Sequence, residues 1–217
     1  PEGNRDAVAE HAIALILALL NRIPQGNNEV KNWIWDREAN RGVELSALKV
    51  GIIGFGNTGS KLAEKLRGFG CEIFAYDKNL KGFGNSSVKE VSLTELKYEV
   101  DLLSLHIPLE GGNKNLVDDN YLKEFRKNIY FFNLSRGAIV KTADLLKNIE
   151  EKKVLGAGLD VLENENFSNL SLTQKEIYEK LFRNPHVIFS PHVGGWSRES
   201  YYKISFFLVQ KIKALIA

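Results

Sequence analysis

The 217 residues contain no methionine and a single cysteine, Cys71. One cysteine excludes an intrachain disulfide and any cluster of thiolate metal ligands; it fits a reducing, cytoplasmic compartment, and no metal is expected. A chain that starts at Pro1 without any methionine reads as a portion of a longer protein. Net charge is nearly absent too, since 29 basic against 27 acidic residues leave +2. There is no basic block and no basic stripe interleaved with aromatics, which removes nucleic acid as an expected partner. Long apolar runs are also missing. The longest, Ala12 to Leu20, falls well short of the roughly 20 residues that span a bilayer, so it reads as a buried helix and no membrane is expected as a partner. Nothing at the start has the pattern of a secretory signal.

What the chain does have is a short apolar run leading into spaced glycines, Lys49-Val50-Gly51-Ile52-Ile53-Gly54-Phe55-Gly56-Asn57-Thr58-Gly59. This reads as a strand, a tight turn and a helix start. Gly54 permits the turn, Gly56 lets the backbone approach a pyrophosphate, and Gly59 lets the helix pack closely on the strand. The helix start then offers free N–H groups and a positive dipole end to the phosphates. Alone, the glycine pattern is weak in a chain with 18 glycines. Context strengthens it: Glu72 to Tyr76 reads as the next strand and ends in Asp77, about 20 residues further on. A carboxylate there accepts hydrogen bonds from ribose hydroxyls and repels a 2′-phosphate, which favours NAD over NADP.

The length suits one compact domain with an appended helix. A helix is expected over Asp6–Arg22, with Asp6 as N-cap and Pro24 as the stop, and a second over Asn28–Trp35. The first is apolar almost all round between Ala12 and Leu20, so the sheet covers one side and a second subunit or domain covers the other. From Lys49 onward strands and helices alternate. Strands are expected at 50–53, 72–76, 101–105, 129–133, 155–159 and 187–190; helices at 58–69, 92–98, 119–125, 142–151, 174–182 and from Ser197 to the end. Gly70 closes the first of these helices as a C′ glycine. Nearly continuous apolar strands such as Ile129-Tyr130-Phe131-Phe132 mean that both faces are covered. The fold class is α/β, a doubly wound parallel sheet of the Rossmann type.

In such a sheet the ligand lies beyond the carboxyl ends of the strands. Those ends carry Asp77, His106, the segment Asn133-Leu134-Ser135-Arg136-Gly137, Asp160 with Glu163 and Glu165 behind it, and Pro191-His192-Val193-Gly194-Gly195. Arg136 can hold a carboxylate and a carbonyl oxygen through its planar fork of donors. His192 can give a proton to a carbonyl as hydride arrives, and Glu165 can orient its ring. Taken singly, Arg136 also suits a surface charge, His192 an exposed loop and Glu165 a solvated acid. Their occurrence after successive strands favours a reductase site.

Several ordered segments resemble the D-isomer-specific 2-hydroxyacid dehydrogenases: Ala7-Val8-Ala9-Glu10-His11 opening the first helix, the glycine turn, Ser104-Leu105-His106-Ile107-Pro108-Leu109, Asn133 to Gly137, Gly158-Leu159-Asp160-Val161-Leu162-Glu163, and Pro191 to Gly195. The last three are the most specific, and the likeness is greatest to the 3-phosphoglycerate dehydrogenase branch. The resemblance implies catalytic roles for Arg136, Glu165 and His192. It implies NAD contacts from Gly54, Gly56, Asn57, Thr58, Gly59, Asp77, His106 and Pro108 for the adenosine and phosphates. For the nicotinamide half it implies Leu134, Ser135, Arg136, Asp160, His192, Gly194 and Gly195. Asn166 follows Glu165 where the family usually has proline, which keeps Glu163 in view as an alternative partner of His192. Trp196 stands where smaller residues are commoner and would narrow or cover the site.

The resemblance further implies that residues 1–196 form the NAD-binding domain, with interface helices over 1–35 and the core over 49–196. Residues 197–217 would lead back towards a flavodoxin-like substrate domain outside this chain. It implies a small 2-hydroxy acid substrate and a homodimer through the cofactor domain. The competing function is an NAD-sensing dimeric interaction protein like the family's transcriptional co-repressors.

Overall fold

The computed structural model describes residues 2–216. Strands β1 (Lys49–Ile53), β2 (Glu72–Tyr76), β3 (Lys89–Glu90), β4 (Leu102–Leu105), β5 (Ile129–Asn133), β6 (Val154–Leu159) and β7 (Val187–Phe189) form one sheet in the order β3-β2-β1-β4-β5-β6-β7. Every pairing is parallel. The order reverses between β1 and β4, and that reversal opens a crevice beyond their carboxyl ends.

The strands are apolar throughout because each face has its own helices. On one face α1 (Arg5–Leu20) and α3 (Asn57–Leu66) pack over Val50, Ile52 and Phe132. On the other, α4 (Leu93–Glu99), α5 (Asp119–Lys123), α6 (Thr142–Glu150) and α7 (Leu172–Arg183) enclose Leu103, Leu105 and Phe131. Each of these strand residues is at most a few per cent exposed, so consecutive side chains serve opposite layers of core. α1 buries Val8, Ala12, Leu15, Ile16 and Leu19, while Ile13 and Leu17 stay half-buried and Ala14 exposed. The described chain thus covers one side of its apolar surface. Among the described residues no single helix is long and apolar enough to cross a membrane.

The second helix differs from its expected place. It is α2 (Ile23–Lys31), not Asn28–Trp35. Arg22 takes a left-handed backbone (φ 52°) and breaks the chain direction, so Pro24 falls in the first turn of a new helix, where its missing N–H costs nothing. The Asn32 amide donates to the Asn28 carbonyl, and Trp33 turns left-handed (φ 64°), which leaves both tryptophans beyond the helix. Asp6 is not the cap of α1; Asn4 holds that position, and Asp6 lies in the first turn, 3.6 Å from Lys65. The edge strand β3 is unforeseen, being two polar residues in a loop. The last helix, α8 (Arg198–Ile216), begins where the Ser197 hydroxyl accepts from the Ser200 N–H at 2.9 Å. Of its residues only Ser200 is buried.

Candidate active site

The glycine turn joins β1 to α3. Gly54 has φ 93°, and a Cβ there would collide with the His106 carbonyl. A Cβ on Gly59 would collide with the Gly54 carbonyl, so the helix rests directly on the turn. Gly56 faces open space and, as N-cap of α3, has no side chain to cap it. The first N–H groups of the helix are left for an anion.

Asp77 ends β2 beside this turn. Its carboxylate accepts from the N–H groups of Phe55 (2.7 Å), Asn79 (2.8 Å) and Leu80 (2.9 Å). Burial opposes its charge, but these backbone donors outweigh it and hold the carboxyl below its usual value. An ionised acid therefore stands at the rim of a cleft of about 500 Å³ whose walls include Gly54, Gly56, Asp77, His106 and Pro108. An extended dinucleotide fits this cradle: open space at Gly56, unpaired helix donors for phosphate, and a negative rim that suits ribose hydroxyls.

Burial pushes the His106 imidazole from 6.5 down to about 4, so it is neutral near pH 7. The unfolded chain then binds more protons than the folded one between those values, and stability falls as pH drops through that window. Thermal melting followed by circular dichroism is expected to show a shallower loss of Tm between pH 6.5 and 4 in His106→Gln than in the wild type. Parallel curves would contradict this origin of the acid sensitivity.

At the end of β5, Asn133 shapes the next segment. Its Oδ1 accepts from the Ser135 N–H at 3.0 Å and its amide donates to the Arg136 carbonyl at 3.2 Å. The Ser135 hydroxyl donates to the Leu105 carbonyl at 2.7 Å and accepts from the Ile107 N–H at 3.1 Å, which ties the ends of β4 and β5 together. Leu134 and Ser135 are buried, whereas Arg136 is exposed. Its guanidinium donates to the Ser135 carbonyl and pairs with no carboxylate among the described residues.

His192 follows β7 with a left-handed backbone, φ 57°. Its Nδ1 lies 2.9 Å from Glu165 Oε2, with both side chains 45% exposed. Glu163 is committed elsewhere: its carboxylate accepts from the Thr142 N–H at 2.9 Å, at the start of α6. Glu165 is thus the acid that reaches His192. Asn166 stiffens this loop in its own way, as its side chain accepts from the Ser168 N–H at 3.1 Å. Trp196 does not cover the site within the described chain, since it is 80% exposed.

Asp160 differs from an open contact residue. It is 3% exposed, and its carboxylate accepts from the Ser190 hydroxyl and the N–H groups of Val193 and Gly194. Burial raises its pKa, but the adjacent His11 imidazole and hydrogen bonds from Ser190, Gly194 and Val193 bring it below the usual value. His11, Asn133 and Ser190 are thereby part of the site's framework. No residue pattern marks them for this task, although His11 lies in the Ala-Glu-His opening of the first helix and Asn133 opens the Asn133–Gly137 segment.

A parallel sheet with this turn, this helix start and an acid after β2 defines a dinucleotide-binding domain. The chain belongs to the D-isomer specific 2-hydroxyacid dehydrogenases, whose NAD binding domain matches residues 13–194. A D-3-phosphoglycerate dehydrogenase of Bacillus subtilis is 33% identical over 92% of this chain and 37% of its own length. A hydroxypyruvate reductase of Thermotoga maritima is 32% identical over 98% of this chain and 67% of its own length. The structure of a D-lactate dehydrogenase from Aquifex aeolicus, complexed with NAD and lactic acid, superposes with a TM-score of 0.89 at 27% identity, covering 100% of this chain and 68% of that one. The chain therefore spans between about a third and two thirds of these relatives.

Proposed function

We propose that this chain supplies the cofactor and proton-transfer half of an enzyme that interconverts D-2-hydroxy acids and 2-oxo acids. The observation that carries the reading is the His192–Glu165 pair at 2.9 Å, on the same sheet edge as the Arg136 guanidinium, which meets no carboxylate among the described residues. Gly54, Gly56 and the N–H groups opening α3 would hold the NAD phosphates, and Asp77 the adenosine ribose. NAD, when bound, supplies the hydride acceptor or donor.

The remaining work falls to the chain's own residues. Arg136 holds the substrate carboxylate through paired donors and polarises the 2-oxo group. Glu165, as a carboxylate, accepts from His192 Nδ1–H and fixes the ring. Nε2 is left to give a proton to the carbonyl oxygen in reduction and to take it back in oxidation. Walls that select the substrate side chain belong to a further domain in the family. We favour 3-phosphohydroxypyruvate, supported by the Bacillus subtilis relative, with hydroxypyruvate as the competitor supported by the Thermotoga maritima one.

The test is NADH consumption by the protein with its substrate-binding portion present, against 3-phosphohydroxypyruvate, hydroxypyruvate, glyoxylate and pyruvate. Oxidation of NADH with at least one of them is expected, the phosphorylated acid giving the highest kcat/KM. No consumption with any 2-oxo acid would sink the enzymatic reading and leave an NAD-responsive binding protein in its place.

A further inference from the structure

The loop that carries His192 is pinned from beneath. Asp160 Oδ1 accepts from the Val193 N–H at 2.9 Å and from the Ser190 hydroxyl at 2.6 Å. Oδ2 accepts from the Gly194 N–H at 2.8 Å, and the Asp160 carbonyl accepts from the His192 N–H at 2.8 Å. A non-glycine residue with positive φ is held there only when its surroundings over-determine it, and these bonds on either side of His192 do so.

The pin has a second anchor. An ionised carboxylate only accepts, so the Ser190 hydroxyl directs its one proton to Asp160. The Ser190 oxygen must then accept from His11 Nε2, 2.7 Å away, which places a proton on that nitrogen. The same nitrogen is 3.4 Å from Asp160 Oδ1, and the His11 side chain is 25% exposed. Since His11 belongs to α1, a chain of directed hydrogen bonds runs from the helix packed on the sheet, through Ser190 and Asp160, to the backbone of the proton-transfer loop.

We propose that His11 and Ser190 are positioning residues for His192, holding its imidazole at the angle that the reaction requires. The proposal rests on the reading of His192 as the proton-transfer group, and it adds a dependence of that group on a helix on the far side of the loop. Without the His11 donor, the Ser190 hydroxyl is free to rotate, Asp160 loses the steady third donor beside the Val193 and Gly194 N–H groups, and the left-handed turn at His192 loosens. A small displacement of a reacting group costs up to about a hundredfold in rate.

The chain has four histidines, so labelling their ring carbons gives four imidazole signals in a magnetic resonance spectrum, assigned by single His→Gln variants. In His11→Leu the His192 signal is expected to move, with NADH affinity by fluorescence within about threefold of wild type, because Asp77 and the glycine turn are untouched. In His11→Gln, whose amide N–H can occupy the place of Nε2–H, the His192 signal is expected to return to its wild-type position. Ser190→Ala should reproduce the His11→Leu shift, and the double variant should add nothing further, as members of one network do. In the active protein, kcat is expected to fall about ten- to hundredfold in His11→Leu with KM little changed, and to recover in His11→Gln. An unmoved His192 signal in folded His11→Leu and Ser190→Ala proteins overturns the proposal. So does an equal loss in His11→Leu and His11→Gln, which reports packing alone. A wild type with the expected signals but no turnover overturns the enzymatic reading and leaves the positioning network standing.

Discussion

Replacing His192 by glutamine is expected to lower kcat for 2-oxo acid reduction by about 10²–10⁴-fold, the range that a positioned general acid contributes. Glutamine preserves much of the volume and a donor that can meet Glu165, so the loop and the cofactor cleft remain in place. What it removes is the imidazole, the one group of this loop able both to give and to take a proton. Because Glu165 sits against Nδ1 at 2.9 Å, Nε2 is the nitrogen available to substrate, and no neighbouring side chain of comparable chemistry replaces it. Glu163, the other acid of that loop, is held by the Thr142 N–H, and His106 is half-buried and neutral, with its Nε2 2.9 Å from the Ser104 hydroxyl. The measurement is the rate of NADH oxidation at saturating substrate alongside NADH affinity by fluorescence. An unchanged kcat removes the proton-transfer assignment, whereas a lost NADH affinity relocates His192 to the cofactor site.

Gly59→Ala is expected to have the largest effect on stability among single-methyl changes at the glycine turn. The added Cβ would collide with the Gly54 carbonyl, an immovable backbone atom, and would also come within 3.1 Å of Ile52. The strand and helix must separate, and overpacking of this kind costs about 3 kcal/mol or more. For a chain of this size that corresponds to a fall in Tm of roughly 6–12 °C. Gly68→Ala is the control, because a Cβ there meets no atom within 4 Å. Its melting temperature should stay within about a degree of wild type or rise slightly, as alanine restricts the unfolded chain. Equal melting of the two variants by calorimetry would contradict the close packing of α3 on the turn.

The parts of the fold that were legible in the sequence are those with local causes. Five-residue apolar strands and the Gly54-x-Gly56-x-x-Gly59 turn act through their immediate neighbours and lie where they are expected, while Gly70 is left-handed as expected but closes a 3-10 turn over Arg67–Phe69, α3 itself ending at Leu66. A helix over Asn28–Trp35 is misleading because Pro24 suits the end of one helix, while its fixed φ equally suits the first turn of the next, where it lies. β3 was invisible because two polar residues carry no alternation. At the site, motifs marked Arg136, Glu165 and His192, but the pairing of Glu165 with His192 was settled by Glu163 being drawn to Thr142, twenty-one positions away. The task of Asp160 was harder still to foresee. It depends on hydrogen bonds from Ser190, Val193 and Gly194, all at least 30 residues distant, and on His11 further off again.

Calorimetric titration of the 217-residue chain with NADH, and in parallel with NADPH, bears on everything above. A single binding event saturating below millimolar NADH is expected, with NADPH markedly weaker because its 2′-phosphate would face the ionised Asp77. No heat of binding with NADH at millimolar concentration, from a chain shown to be folded, would contradict the assignment of the glycine turn as the dinucleotide site.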